Sequence, residues 1–238
     1  MRDAKALLKV IEETDTSKLS DPAVMHRLPF PSAIRDLPID RFQLSDRKFK
    51  YMGREPFTQI ESEILKVVDA RTLNVYGTKG YGKSHIIAAV VLKLMQDSSK
   101  RVVFLPHARD LAKAPAPYLK QALSLAFARD EEKLEEIAGL DEVAQLVRWV
   151  KRQVFILVVD QMNSIEDDSK MSLDDKRFAN ATIKDVFGTS QLTVYGFSAN
   201  NQTMVQQQVT QRSERDVRLF GGFSEVRTVD LLLCTCSS

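Results

Sequence analysis

Cysteine is nearly missing from this chain. Two occur in 238 residues, Cys234 and Cys236, both at the C-terminal end. A pair one residue apart cannot staple a fold, and no histidine lies beside it, so neither a disulfide framework nor a zinc site is expected. An excess of one charge is missing too: 34 Lys and Arg face 32 Asp and Glu, a formal net charge of +2. That balance supplies no global field to draw in nucleic acid or an anionic membrane. What remains is local, Arg47 and Lys48 with Lys50, and the run from Arg212 to Arg218. No stretch approaches the roughly 18 apolar residues of a membrane span. The N-terminal sequence MRDAKALLKVIEETD is amphipathic and carries acids, unlike a signal peptide. Glycine is sparse at 9 residues, yet Gly77, Gly80 and Gly82 fall within six positions.

What is present reads as a globular α/β protein. Hydrophobic residues make up 44% of the chain and charged residues 28%, ordinary proportions for a packed domain. Residues 1–55 read as an N-terminal arm. Ala4, Leu7, Leu8 and Ile11 form a short helical stripe, and Asp21-Pro22 has the chemistry of a helix start. Pro29, Pro31 and Pro38 then punctuate an extended stretch, and Phe42, Leu44 and Phe49 serve as anchors to a core. The core domain is expected over 56–238, with its C-terminal end truncated.

Within it, Ile60, Ile64, Leu65 and Val68 fall at helical spacing. Strands are expected at 72–76, 101–105, 154–159 and 192–197, with a last one at 226–233. The run Val154 to Val159 has no polar alternation, as suits a strand covered on both faces of a parallel sheet. Helices are expected at 84–95, two across 117–152 with a solvated acidic face from Asp130 to Glu136, one at 172–187, and a Gln-rich one at 202–218. Gly221-Gly222 is a turn. Strands alternating with helices indicate a layered fold with a mainly parallel sheet.

The glycine cluster carries chemistry. Gly77-Thr78-Lys79-Gly80-Tyr81-Gly82-Lys83-Ser84 is G-x-x-x-x-G-K-[ST] in full, placed between an expected strand and an expected helix. Glycines let the backbone curl so that successive N–H groups cradle polyphosphate oxygens, and the helix N-terminus adds positive potential. Lys83 supplies a full charge to the β- and γ-phosphates, and the Ser84 hydroxyl ligates Mg²⁺.

Such a loop works with a carboxylate at the end of a neighbouring strand. Asp160 ends the run 154–159 and fits that role as the second Mg²⁺ contact. Gln161 follows it. A glutamine cannot take a proton but can orient a water, so slow hydrolysis is expected. Glu166 and Asp167 are the nearby carboxylates. Asn200 falls where a sensor of the γ-phosphate would sit, and Arg212, Arg215 and Arg218 on the expected last helix suggest an arginine finger of an oligomer. The three histidines, His26, His85 and His107, have no metal-ligand spacing. No Asn-Lys-x-Asp element is present, which favours ATP over GTP.

Several stretches together resemble the P-loop NTPase domain of Crinkler-type effector proteins, and that domain is similar to part of the retrotransposon hot spot proteins. They are YMGREPF (51–57), VYGTKGYGKSH (75–85), RVVFLP (101–106), DQMN (160–163), SANN (198–201) and LFGGF (219–223). The resemblance covers roughly 45–225. It implies a three-layer P-loop NTPase fold of the additional-strand (ASCE) class, with the lid absent or truncated here, and effector biology with host nuclei as a frequent destination. It also implies that Gln161 is a family trait.

The reading is an Mg-ATP-binding, slowly hydrolysing module, with Lys83, Asp160, Gln161 and Asn200 as catalytic residues and Gly77 to Ser84 holding the nucleotide. Tyr51 to Arg54 either pack near the adenine or belong to the core. The alternative is a nucleotide-gated switch that binds a protein or nucleic acid with little turnover. A small-molecule kinase is less favoured, because its phosphate loop usually opens the chain. Homo-oligomers are compatible with either main reading.

Overall fold

Four strands are buried on both faces, and with a fifth at the edge they build a sheet covered on both sides. A computed structural model describes residues 2–35, 37, 39–66, 72–77, 80–162, 164–165, 171–187, 190, 192–198 and 215–219. In chain order the elements are α1 (Arg2–Glu12), β1 (Met25–Pro29), α2 (Ile39–Phe42), β2 (Lys48–Met52), α3 (Pro56–Leu65) and β3 (Thr72–Gly77). Then come α4 (Lys83–Gln96), β4 (Val102–Leu105), α5 (Asp110–Lys113), α6 (Pro115–Ala126), α7 (Glu131–Ala138) and α8 (Val143–Val150). β5 (Ile156–Val159), α9 (Leu173–Phe187), β6 (Leu192–Ser198) and β7 (Arg215–Leu219) complete the set.

The main sheet is parallel throughout, in the order β4-β5-β6-β3-β7. β3 lies between β6 and β7, with Val75 level with Gly196 on one side and Val217 on the other. Alternate residues of each strand serve different layers, as a period of two requires. Val102, Phe104, Ile156 and Val158 join the core under α3 and α4. Val103, Leu105, Leu157 and Val159 join the opposite core with α6, α8 and α9. The result is a three-layer α/β fold of the P-loop NTPase type, with a strand, β6, standing between β3 and β5.

α4 is apolar nearly all round, from Ile86 to Met95. A helix of that kind must be covered on every side. Its inner side meets the sheet, and its outer side is covered by the first 52 residues: Leu8, Ile11, Leu28, Phe30, Phe42 and Phe49 share its core cluster. Leu44, an expected anchor, is only partly buried against that cluster. β1 and β2 form an antiparallel hairpin, Met25 facing Met52 and Pro29 facing Lys48. Proline suits the end position, where no ladder donor is required.

Four expectations are corrected. Asp21-Pro22 does not start a helix: Asp21 Oδ1 accepts the Ala23 N–H at 2.9 Å and Asp21 O accepts the Val24 N–H at 3.1 Å, a turn that feeds β1. The region 117–152 contains three helices, because Asp130 caps the acidic stretch by accepting the Lys133 N–H at 3.1 Å and makes α7 a helix of its own. Arg215 and Arg218 lie on β7, not on a helix. Val217 and Leu219, two apart, are buried against β3, and that two-residue alternation overrides the three-residue spacing of the arginines. Finally, the strand of Asp160 is not the neighbour of β3, since β6 separates them. The expected features at Gly221-Gly222 and 226–233 lie outside the described residues.

Candidate nucleotide site

β3 ends at Gly77, where β7 passes so close that a Cβ would stand 1.9 Å from Leu219 O. Only glycine fits that approach. Beyond it, Gly80 and Gly82 take φ of 84° and 80°, backbone that other residues rarely adopt. Gly82 precedes α4, and its carbonyl accepts the His85 and Ile86 N–H groups at 3.0 and 3.1 Å, which starts the helix at Lys83 and makes Ser84 its second residue. Arg54 holds the loop from outside: its guanidinium donates to the Tyr81 carbonyl and lies 4.9 Å from the Tyr81 ring centre. Of the stretch before α3, Arg54 therefore touches the loop, while Tyr51 is core, with its hydroxyl donating to Leu19 O at 3.1 Å. Thr78 and Lys79 lie outside the described residues.

Lys83 is buried and donates to Gly77 O at 2.8 Å. The ammonium thus closes the loop on itself. Burial pushes its pKa below the ordinary lysine value, and the charge of Asp160 opposes that shift. Asp160 lies across β6, and a missing side chain lets it reach. A Cβ on Gly196 would stand 2.5 Å from Asp160 Oδ1 and 2.7 Å from Ile87 Cδ1. The carboxylate occupies the space that any other residue at 196 would fill.

Asp160 is 2% exposed. Its Oδ1 accepts the Gln161 N–H at 2.9 Å. Its Oδ2 lies 3.1 Å from Arg41 Nη2, yet among the described residues no hydrogen-bond donor is aligned on it. The Arg41 nitrogen is directed instead at Pro106 O, 2.6 Å away. Gln161 has φ of 59°, the left-handed region that non-glycine residues occupy only at a cost of roughly 1–3 kcal/mol. Its backbone is held on both sides, since its carbonyl also accepts from Ser164 N and Oγ at 2.9 and 2.7 Å.

His85 follows Ser84 and packs its ring against Phe42 and Phe49, with centroids 4.7 and 5.9 Å away. Burial lowers its pKa, and the charges of Arg41 and Arg54 lower it further against the pull of Asp160. His107 has its Nδ1 2.8 Å from Asp110 Oδ2, and His26 has its Nε2 3.0 Å from Lys18 O.

A family model of the novel STAND NTPase 1 proteins matches residues 38–212, more than half of the chain. The chain belongs to the novel STAND NTPase 1 family. No curated protein matches the sequence. For a member of an NTPase family the loop, Lys83 and Asp160 form the candidate nucleotide site, and the family span also includes Arg41, Arg54 and Gly196. Asn200, Arg212, Glu166, Asp167 and Asn163 lie outside the described residues. No described helix is long and apolar enough to cross a membrane.

Magnesium fits the residues present. Asp160 Oδ2 is a buried carboxylate oxygen with no aligned hydrogen-bond donor among the described residues, and so has a lone pair open to a cation. Among the described residues no group of three or more His, Cys, Asp or Glu gathers. One carboxylate and one hydroxyl suit Mg²⁺, which keeps waters and completes its octahedron with phosphate oxygens.

Sequence reasoning missed Arg41 and Gly196. A lone glycine inside an apolar strand signals close approach by another group, and Gly196 in LTVYGFS carries that signal. Arg41 carries none, because its partner is 119 positions away and chain spacing says nothing about that contact.

Proposed function

We propose that this domain binds Mg-ATP and hydrolyses it slowly. The observation that supports the reading is the convergence of Lys83 and the donor-less Asp160 oxygen at the C-terminal edge of the sheet, made available by Gly196. In this reading the N–H groups of the loop and of the first turn of α4 bind the β- and γ-phosphate oxygens, and Lys83 exchanges its bond to Gly77 O for one to phosphate. Ser84 and Asp160 hold Mg²⁺, Asp160 through water. The bound ion neutralises charge on the phosphates. Gln161 orients a water through its amide and accepts no proton, so turnover is slow. Asn200 is assigned the γ-phosphate contact, and Thr78 and Lys79 complete the loop. Of the stretch Tyr51 to Arg54, Arg54 touches the loop at Tyr81, and in this reading it is the residue assigned to the adenine.

The finer likeness to the Crinkler-type and retrotransposon hot spot ATPases rests on the motif strings, and with it the division into an arm at 1–55 and a core at 56–238. A second reading, a nucleotide-gated switch with little turnover, is favoured by one contact: Arg41 stands against the carboxylate that Mg²⁺ requires.

ATP titration and phosphate release decide. Lys83→Ala weakens Mg-ATP binding by about 10- to 100-fold, the worth of a charge-assisted hydrogen bond to phosphate. Asp160→Asn lowers Mg²⁺-dependent ATP affinity by roughly 10-fold, leaves binding in EDTA little changed and abolishes phosphate release. Unchanged Mg-ATP binding in Lys83→Ala removes the phosphate-loop assignment, and binding without steady-state release leaves the switch. Release measured with and without DNA tests nucleic-acid coupling.

A further inference from the structure

A cavity of about 720 Å³ opens at the C-terminal ends of β4 and β5. Its walls come from residues 34–41, from 107–121 and from Gln161, and none of the described phosphate-loop residues lines it. It adjoins the region of Asp160 through Arg41 and Gln161 and extends from there along α5 and α6. Its size falls within the range of small-molecule sites.

Among the described lining residues the charge is one-sided: Arg35, Arg41, Arg109 and Lys113 stand against one carboxylate, Asp110. Asp110 is already engaged: His107 Nδ1 lies 2.8 Å from one of its oxygens and Lys113 Nζ 2.9 Å from the other. Burial raises its pKa, but those two hydrogen bonds outweigh burial and hold it down at about 2. It therefore stays ionised and occupied at neutral pH. Arg41 is poorly satisfied where it stands, for its Nε and Nη1 are buried without an acceptor among the described residues. An arrangement of that kind costs free energy until an anion supplies acceptors. Arg35 extends into solvent at the rim, anchored by its backbone N–H to Gln121 Oε1 at 2.8 Å.

The remaining wall is apolar, with Ile34, Leu37 and Pro117. Cations on one side and carbon on the other select an anion that carries a body. Guanidinium forks match phosphate oxygens in pairs, and a cleft lined by one sign concentrates multiply charged ligands. We propose that this cavity is a second ligand site, for a phosphate monoester of mononucleotide size, whose phosphate is held by Arg35 and Arg109 with Lys113 shared between it and Asp110, and whose body lies on Ile34, Leu37 and Pro117. Arg41 borders both this ligand and Asp160, and so connects the two sites.

Calorimetric titration of the full chain with AMP, without Mg²⁺, tests the site. A monophosphate lacks the β- and γ-phosphates that a phosphate loop grips, which makes it selective for the cavity. The expected result is saturable one-to-one binding that survives Lys83→Ala. It falls by on the order of 10-fold or more in the double variant Arg35→Glu with Lys113→Glu. Both side chains are exposed, and an unchanged melting curve read from the single tryptophan, Trp149, shows that the variant is folded. Adenosine and citrate bind far more weakly than AMP. No saturable AMP binding overturns the proposal. So does binding that Lys83→Ala abolishes and the double variant keeps, or citrate that binds as tightly as AMP. The readout is separate from Mg-ATP binding, so the two assignments stand or fall independently.

Discussion

Asp160 Oδ1 occupies the place of a side chain at Gly196: a Cβ there would stand 2.5 Å from it. One residue's missing atom is the other's position. Any phosphate-loop protein in which a further strand separates the loop strand from the carboxylate strand must bring the carboxylate across that strand. Here a glycine in the middle strand provides the passage.

Gly196→Ala should therefore displace the carboxylate. The added carbon also meets Ile87 Cδ1 at 2.7 Å, so the strand cannot simply shift toward α4. Overpacking of this kind costs about 1–3 kcal/mol, read as a lower melting temperature. Mg²⁺-dependent ATP affinity should drop by roughly 10-fold, in line with one displaced charged contact, while ATP binding in EDTA changes much less. Equal losses with and without Mg²⁺ would mean that the effect is on packing alone.

Arg41→Ala separates the two readings of function. The variant leaves Asp160 buried without the guanidinium that pairs with it, and breaking a buried pair costs up to about 3–5 kcal/mol, less here because Arg41 retains some exposure. The nucleotide-free protein should melt earlier. Mg-ATP should then stabilise the variant more than the wild type, because the ion meets a carboxylate with no competitor. If Mg-ATP raises the melting temperature by the same amount in both, Arg41 does not compete for the site.

Acid should expose His85. Its pKa in the folded chain lies below the unfolded value, owing first to burial and then to Arg41 and Arg54. The unfolded state then binds more protons wherever the two values differ, so stability rises with pH in that window. Stability is fully present above the unfolded value, about 6.5, and is lost as pH falls from there toward the folded value. His85→Gln removes this slope. Denaturant melts of both proteins between pH 7.5 and pH 5, taken as a roughly two-unit window around that value, should converge in acid. Parallel curves would rule out His85 as the source.

Much of the fold around the candidate site was legible along the chain. The strand ending at Gly77, the positive-φ backbone at Gly80 and Gly82, the helix from Lys83 and the strand before Asp160 are local features, and the backbone forms them where periodicity and glycine placement indicate. The N-terminal region was only partly legible. Phe42 and Phe49 were recognisable as anchors, but the hairpin that carries Phe49 was not, because Asp21-Pro22 serves equally well as a helix start or a turn. The arginines at 215 and 218 misled for a similar reason. Three-residue spacing is a helical signal only where no strand edge is waiting, and β3 offers one to Val217 and Leu219.

The sequence by itself determined that this chain carries a glycine-rich G-x-x-x-x-G-K-[ST] segment and a layered α/β sheet, since both are encoded in spacing over a few residues. Tertiary structure alone decided that β6 stands between β3 and β5, that Asp160 crosses it over Gly196, and that Arg41 meets Asp160 beside a cationic cavity. Those relations join residues tens of positions apart. They depend on the strand order and on which side chains compete for the same buried volume, and neither quantity is carried by any short stretch of chain.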